Sequence, residues 1–375
     1  MTNKNEVYLW FSPATDITGT KLQEALGVSG GKIKPPAGKK LIVGWGTKIK
    51  EDVLLPKTAK VMNHPNQLRI NRNKFEASSR LSAALNVNGA KRVARMTPAE
   101  RVKQDLASNQ ITMPLIGRKK FHQGGKGFWE CPTVAQLDDA IAGGAQYFQE
   151  MVAVKDEYRL HVFDGEIIHA VKKVKRTADE FEKEWVADEV SRQKDLAAKN
   201  NDPFDEAMAL QILKRQAKNA TAGGPNMVLR SNKLGWKFSI VTKYDKAVAD
   251  LAIAAVKALQ MDFGAVDCCI DVDGNPYVFE VNSGPGLEGT SFDAYVAAFN
   301  KLISGKTTTT AVEKPKSSDK AANIATTAGI ITKKQMLAEQ LQRLTDMVQA
   351  ANEDEVDLVQ RLGAKIIFGT DDGNA

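Results

Sequence analysis

This 375-residue chain predicts an α/β protein, and three observations carry that reading. Runs of β-branched and aromatic residues, VYLWF and LIVGW within residues 5–60, flank a helical stretch, DITGTKLQEALGV. That is the pattern of a small lobe on a parallel sheet. Apolar residues of KAVADLAIAAVKALQ, 246–260, recur at i, i+3, i+4 and i+7, the spacing of a core helix. Residues 264–289, GAVDCCIDVDGNPYVFEVNSGPGLEG, read as two strands around the turn-forming Asp273, Gly274 and Asn275.

The last segment is the most informative. If Gly274 and Asn275 form a two-residue loop, Asp267 stands opposite Asn282 and Cys269 opposite Glu280. Alternation then puts Asp267, Glu280 and Asn282 on one face, and a loop one residue longer or shorter turns Asp267 away. Two carboxylates and an amide oxygen are hard ligands of the kind magnesium takes when it bridges phosphates. The Gly-Pro-Gly turn that follows offers backbone amides to an anion. A half-exposed hairpin with solvated acids is the bland alternative.

The other elements follow in order. Residues 61–150 read as helix, strand, glycine loop, a helix from Val134 to Ala142, and a further strand. The loop within PLIGRKKFHQGGKGF, residues 114–128, sets three glycines among basic residues, so its amides can approach phosphate oxygens. It lacks both the GKS/T ending of a P-loop and the spacing of a dinucleotide fingerprint. YRLHVF-DGE-IIHAV reads as a hairpin, and residues 176–220 are almost all helix formers, heavily charged. Residues 305–328 are poor in large apolar groups and read as a linker. Beyond it, Leu337, Leu341, Leu344, Val348, Ala351, Leu358 and Leu362 fall close to a heptad pattern, either a coiled coil or a helix docked on its own domain.

Composition sets bounds. With 43% hydrophobic and 26% charged residues the chain is globular, and no run of 18 apolar residues offers a membrane span. MTNKNEVYLWF lacks the apolar core of a signal peptide, so a cytoplasmic location is expected. Cys131, Cys268 and Cys269 have no disulfide or zinc spacing and are expected to be packing residues. A net charge of +7 favours anionic partners, and a nucleotide satisfies it. The aromatics do not interleave with the basic runs in any nucleic-acid-binding pattern, so nucleic acid is not expected as a partner.

The spacing Asp267-x12-Glu280-x-Asn282 followed by x-G-P-G-L resembles the last motif of the ATP-grasp superfamily. DGNPYVFEVN is similar to D-alanine–D-alanine ligases, and NSGPGLEG to ribosomal-protein glutamate ligases. The wording NHPN…NRNKF and LRSN-x-x-G resembles phage-encoded carboxylate–amine ligases. Further blocks resemble the family in the right order, over roughly residues 5–304. The resemblance implies that Asp267, Glu280 and Asn282 hold the magnesium of ATP. It puts Lys74 at a phosphate, and Arg118, with Lys119 a close second, at the lysine position of the strand before the loop. There the chain departs from the family, which usually carries a single Lys. Gly124 and Gly125 lie in the loop that closes over the triphosphate. Tyr147 to Val152 resembles the hinge strand, so Gln149, Glu150 and Val152 would read adenine. Glu157 matches the acid on the ribose hydroxyls, and Lys172 or Lys173 a basic position near the phosphates. Arg159 sits where the glutamate ligases carry an Arg. Arg230 and Asn232 would lie at the γ-phosphate or the acyl group, where bidentate donors suit spread-out charge. Ser283, Gly284 and Gly286 would line the substrate.

The resemblance implies an ATP-grasp fold of three lobes with a helical insertion and a tethered C-terminal helix. Its expected division is an N-terminal α/β lobe and connecting helix at 1–85, and a small lobe with the glycine loop at 86–152. A C-terminal lobe with the metal site follows at 153–304, interrupted by the insertion at 176–225, then a linker at 305–330 and a helical tail at 331–375. The insertion either roofs the substrate site or is a solvated excursion. The implied activity is an ATP- and Mg2+-dependent ligase that joins a carboxylate to an amine through an acyl phosphate. Its substrate would be an amino acid, peptide or protein, and the tail is a candidate for homo-oligomer formation. A phosphotransferase on the same fold and a non-catalytic ATP-binding scaffold are the rivals.

Overall fold

Four parallel strands open the chain. β1 (Val7–Trp10), β2 (Ser29–Gly31), β3 (Leu41–Gly44) and β4 (Lys60–Met62) pair in the order β2-β1-β3-β4. β1 and β3 are buried at every position, as strands covered on both faces must be. α1 (Ile17–Leu26) is started by the Asp16 carboxylate, which accepts from Gly19 N at 2.8 Å. It is ended by Gly27 at φ 63°, a left-handed stop that glycine adopts without strain. α2 (Pro65–Arg72) and α3 (Lys74–Leu85) meet at Asn73, whose side chain accepts from Glu76 N and so starts α3 at Lys74. The computed structural model describes residues 3–49, 53–120, 127–200, 202–222, 230 and 232–305. Gly124 and Gly125, the linker and the heptad tail lie outside them.

A second, antiparallel sheet follows. β5 (Met96–Pro98), β6 (Leu115–Arg118), β7 (Phe128–Cys131) and β8 (Tyr147–Glu150) take the order β5-β8-β6-β7. α4 (Val102–Ala107) and α5 (Val134–Ala142) accompany it, α5 over the span its sequence predicts. Leu115, Cys131, Leu137 and Phe148 form the core beneath.

The chain then crosses to a five-stranded sheet. β9 (Val154–Phe163) and β10 (Glu166–Lys175) form the expected hairpin, turning at Asp164 (φ 50°) and Gly165 (φ 80°). The predicted helical insertion is present as α6 (Ala178–Phe181), a π-helical turn Glu182–Val186, α7 (Ala187–Asn200) and α8 (Glu206–Ala222). It packs a small core of its own around Phe181, Trp185, Val186 and Leu213. β11 (Trp236–Ile240), α9 (Lys246–Ala258), β12 (Phe263–Asp271), β13 (Pro276–Asn282) and α10 (Thr290–Ser304) complete the fold. The sheet order is β11-β10-β9-β12-β13, antiparallel throughout. α9 buries Val248, Leu251, Ala252, Ala255 and Val256, the stripe its periodicity predicts. All three cysteines are buried and free. Among the described residues, no helix is long and apolar enough to cross a membrane.

The β12–β13 register differs from the one the sequence suggested. Asp267 pairs with Glu280 and Ala265 with Asn282, while near the turn Cys269 pairs with Tyr277 and Ile270 with Pro276. The turn therefore holds five residues, 271–275, and not two. Asp271 explains it: its Oδ1 accepts from Asp273 N at 3.0 Å and Asn275 N at 2.7 Å, which ties a wider loop around one carboxylate. A β-bulge between Asp267 and Cys268 leaves Phe279 unmatched and shifts the ladder by one residue. The bulge brings Asp267, Glu280 and Asn282 back to one face.

Candidate functional site

Three neighbouring strands place charged groups in a row. Arg159 on β9 is opposite Asp267 on β12, and Asp267 is opposite Glu280 on β13. Lys74, the first residue of α3, closes the row with its Nζ 3.1 Å from Glu280 Oε2. Arg159 Nε and Nη2 donate to the two oxygens of Asp267 at 2.6 and 2.8 Å. Asn282, two residues along β13, donates from Nδ2 to Glu280 Oε1 at 3.1 Å and Asp267 Oδ2 at 3.3 Å. Signs thus run plus, minus, minus, plus, with an amide bridging the two acids.

The electrostatics follow from that order. Burial alone would raise the Glu280 pKa, but Lys74, the Asn282 hydrogen bond and Arg118 outweigh it and hold the carboxyl at about 2. Burial opposes the charge on Arg159, and Asp267 more than compensates, so its pKa lies above the ordinary value. The Glu280 carboxylate is therefore ionised at neutral pH, kept so chiefly by Lys74. The same donor set suits a hard divalent ion: two carboxylates plus Asn282 Oδ1, presented by a half-turn of the amide. Among the described residues no group of three His, Cys, Asp or Glu side chains could hold a metal. Such an ion here would complete its shell with oxygens of a ligand.

A second row lies two residues further along the strands. Lys173 Nζ is 2.5 Å from Glu157 Oε1, and both Lys173 and Arg159 stand over the Phe238 ring, at 5.6 and 4.8 Å. Burial raises the Glu157 pKa, with Lys173 opposing. Of the two lysines the sequence left open, Lys173 belongs to this face. Lys172 pairs with Asp156 at 2.7 Å. Arg230 is buried, lies 4.6 Å over Trp236 and donates to Val154 O at 2.7 Å. Asn232 is not drawn into the row. It is exposed and accepts from Arg176 Nη1 at 2.6 Å.

Beside Lys74 and Glu280 opens a small cleft between α3, β13 and the second sheet. Strand alternation decides which hinge residues face it. Arg118, Tyr147 and Gln149 line the cleft, and burial pushes the Tyr147 hydroxyl up to about 12. Lys119 points elsewhere: it is exposed, and its side chain lies against Gly127, where a Cβ would fall 3.0 Å from Lys119 Cγ. Arg118 is thus the cleft residue of the pair.

The Glu150 side chain turns away from the cleft. Its carboxylate is buried on the opposite face of β8, paired with Lys91 and accepting from Arg95 N, Thr112 N and Thr112 Oγ1. Its N–H is taken by Arg95 O at 2.9 Å. Val152 is half-buried in the crossover between β8 and β9.

The 283–287 loop closes the far end of the row. Ser283 is buried and its carbonyl accepts from Gly46 N at 3.2 Å. Gly284 abuts Gly46 so closely that a Cβ would lie 2.9 Å from Gly46 Cα, whereas a Cβ on Gly286 would meet open space. Two residues of the site went unremarked in the sequence. Asn71 donates from Nδ2 to Val281 O at 2.8 Å, fixing the main chain between Glu280 and Asn282, and Ser78 lines the cleft. For Ser78 the spacing, four after Lys74 on α3, is the helical signal that could have found it; Asn71 lies on α2, beyond the break at Asn73, and has no such signal.

Residues 220–305 match the family model described as the RimK-like ATP-grasp domain. No curated protein sequence matches the chain. Among solved structures, the D-alanine–D-alanine ligase of Bacillus anthracis complexed with ATP gives a TM-score of 0.49 at 12% identity, over 81% of this chain and 97% of that one. The ATP-grasp ligase PsnB complexed with minimal precursor, Mg and ADP gives 0.46 at 14%, over 80% and 99%. The macrocyclase MdnC from Microcystis aeruginosa bound with precursor peptide MdnA gives 0.46 at 11%, again over 80% and 99%.

Proposed function

From a chain that carries a RimK-like ATP-grasp domain, we propose an ATP- and magnesium-dependent ligase that joins a carboxylate to an amine. The observation that supports it most is the row Arg159, Asp267, Glu280 and Lys74, bridged by Asn282, at the mouth of a cleft. In this reading the cleft takes the nucleotide. Lys74 and Arg118 hold its phosphates, with Lys173 beside them, and Asp267, Glu280 and Asn282 hold the metal. Magnesium, when bound, neutralises phosphate charge and orients the γ-phosphoryl group.

Arg159 and Arg230 orient the reacting groups from the β9 side, and the 283–287 loop faces the second substrate. The substrate carboxylate oxygen attacks the γ-phosphorus, the bond to the β-phosphate oxygen breaks, and acyl phosphate and ADP result. The amine nitrogen then attacks the acyl carbon, phosphate leaves, and the amine proton goes to solvent or phosphate. Positioning and charge stabilisation carry both steps, so no covalent link to the chain is needed. The amine or carboxylate belongs to an amino acid, a peptide or a protein.

The test is ATP-dependent phosphate release across a panel of amino acids and peptides. A ligase releases phosphate only when carboxylate and amine are both present. ADP formation with stable transfer of phosphate to a single acceptor would replace this reading with phosphotransfer.

A further inference from the structure

The cleft has a chemically mixed lining. Lys74, Arg118 and Glu280 bring charge to it, while Leu81, Met96, Phe279 and Val281 form an apolar wall. One hydroxyl stands in that apolar wall. Ser78 is 4% exposed, and its Oγ has no hydrogen-bond partner among the described residues. A helical serine commonly returns its hydroxyl to the carbonyl four residues back, as Ser79 does to Phe75 O at 2.9 Å. Ser78 does not, although its residue lines the cleft. A buried hydroxyl left unpaired is less favourable than an apolar group of the same size, so the wall is best matched to something that enters and pairs with it.

Position suggests what enters. Ser78 follows Lys74 by four residues, one helical turn along the same face of α3. A ligand whose phosphates rest against Lys74 therefore extends its uncharged end past Ser78 into the apolar slot. A flat heterocycle with polar edges fits apolar walls carrying isolated hydrogen-bonding groups, and Gln149 supplies another such group from β8. We propose that Ser78 is a base-selecting residue of the cleft, its hydroxyl pairing with the nucleobase edge of the bound triphosphate. The inference rests on the nucleotide reading above. It goes beyond that reading by moving part of base selection from the hinge to a side chain of α3.

Calorimetric titration separates the two ideas. The unaltered chain, Ser78→Ala and Lys74→Ala are each titrated with a non-hydrolysable ATP analogue and with inorganic tripolyphosphate, which has the charge but no nucleoside. Ser78→Ala should weaken the analogue about tenfold and leave tripolyphosphate unchanged, while Lys74→Ala weakens both. The unliganded melting temperature of Ser78→Ala should not fall, because no internal hydrogen bond is lost. Ser78→Cys, which keeps the volume, should show the same selective loss and serves if the alanine variant folds poorly. Analogue affinity within twofold of the unaltered chain, or equal losses for both ligands, overturns the inference. If the unaltered chain binds neither ligand, the nucleotide reading falls and takes this one with it. If Lys74→Ala loses affinity and Ser78→Ala does not, only this one falls.

Discussion

Arg159 and Asp267 face each other across the β9–β12 ladder and share two hydrogen bonds, at 2.6 and 2.8 Å. The guanidinium thus satisfies both oxygens of a carboxylate that also accepts from Asn282. Asp267→Asn would leave the Arg159 charge without its counter-ion. We expect a loss of about 2 kcal/mol, below the range for fully buried pairs because a quarter of the Arg159 side chain remains exposed. The double variant Arg159→Met, Asp267→Asn should recover most of that stability in urea denaturation and recover no turnover. Recovery of turnover with stability would make the pair scaffold only.

Glu280→Gln tests the acid directly. The substitution keeps volume and an acceptor for Asn282 but removes the charge. Turnover should fall about a thousandfold, on the order of 4 kcal/mol of transition-state stabilisation. Binding of Mn2+ in the presence of ATP, followed by paramagnetic resonance, should weaken in parallel. Near-normal rates at unchanged melting temperature would remove Glu280 from the metal site.

Arg118→Ala should weaken nucleotide binding more than Lys119→Ala, because only Arg118 lines the cleft while Lys119 is exposed beside Gly127. A difference of about tenfold in dissociation constant is expected, the value of one good charge-assisted contact. A larger defect for Lys119→Ala would mean that the loop carries it inward on binding.

Acid should expose a cost at His161. Burial, with smaller effects from His169 and Arg159, lowers its pKa from 6.5 to about 3. The unfolded chain therefore binds a proton that the folded chain refuses between those values. Stability is undiminished above pH 6.5 and falls as pH drops toward 3, by about 2 kcal/mol at pH 5 from this group alone. His161→Phe should flatten that part of the pH–stability curve. An unchanged slope would assign the acid sensitivity elsewhere.

Local pattern carried much of this molecule. The α5 boundaries, the β9–β10 turn and the apolar stripe of α9 follow from residue type and spacing, because neighbours in sequence decide them. What stayed hidden depends on contacts between distant segments. The five-residue turn arises from how the Asp271 side chain folds back, which turn statistics for Asp-Gly-Asn do not specify. Glu150 looked like part of the hinge, yet its side chain is committed to Lys91 and Thr112, on segments that only the tertiary fold brings near. Asn71 acts through a carbonyl 210 residues away, a relation invisible to any local window.

The bulge at Phe279 has a consequence for how this hairpin tolerates change. At the turn the two strands are out of phase with the charged row, and the extra residue restores the phase before Glu280 is reached. The charged row thus keeps its phase only while the bulge persists. Because Ile270 and Pro276 close the ladder, shortening the turn between them leaves the row intact, whereas a regular ladder that kept Phe279 would pair it with Asp267 and turn Glu280 to the other face. Length variation at this turn should therefore be tolerated in single steps, provided the bulge at 279 is kept.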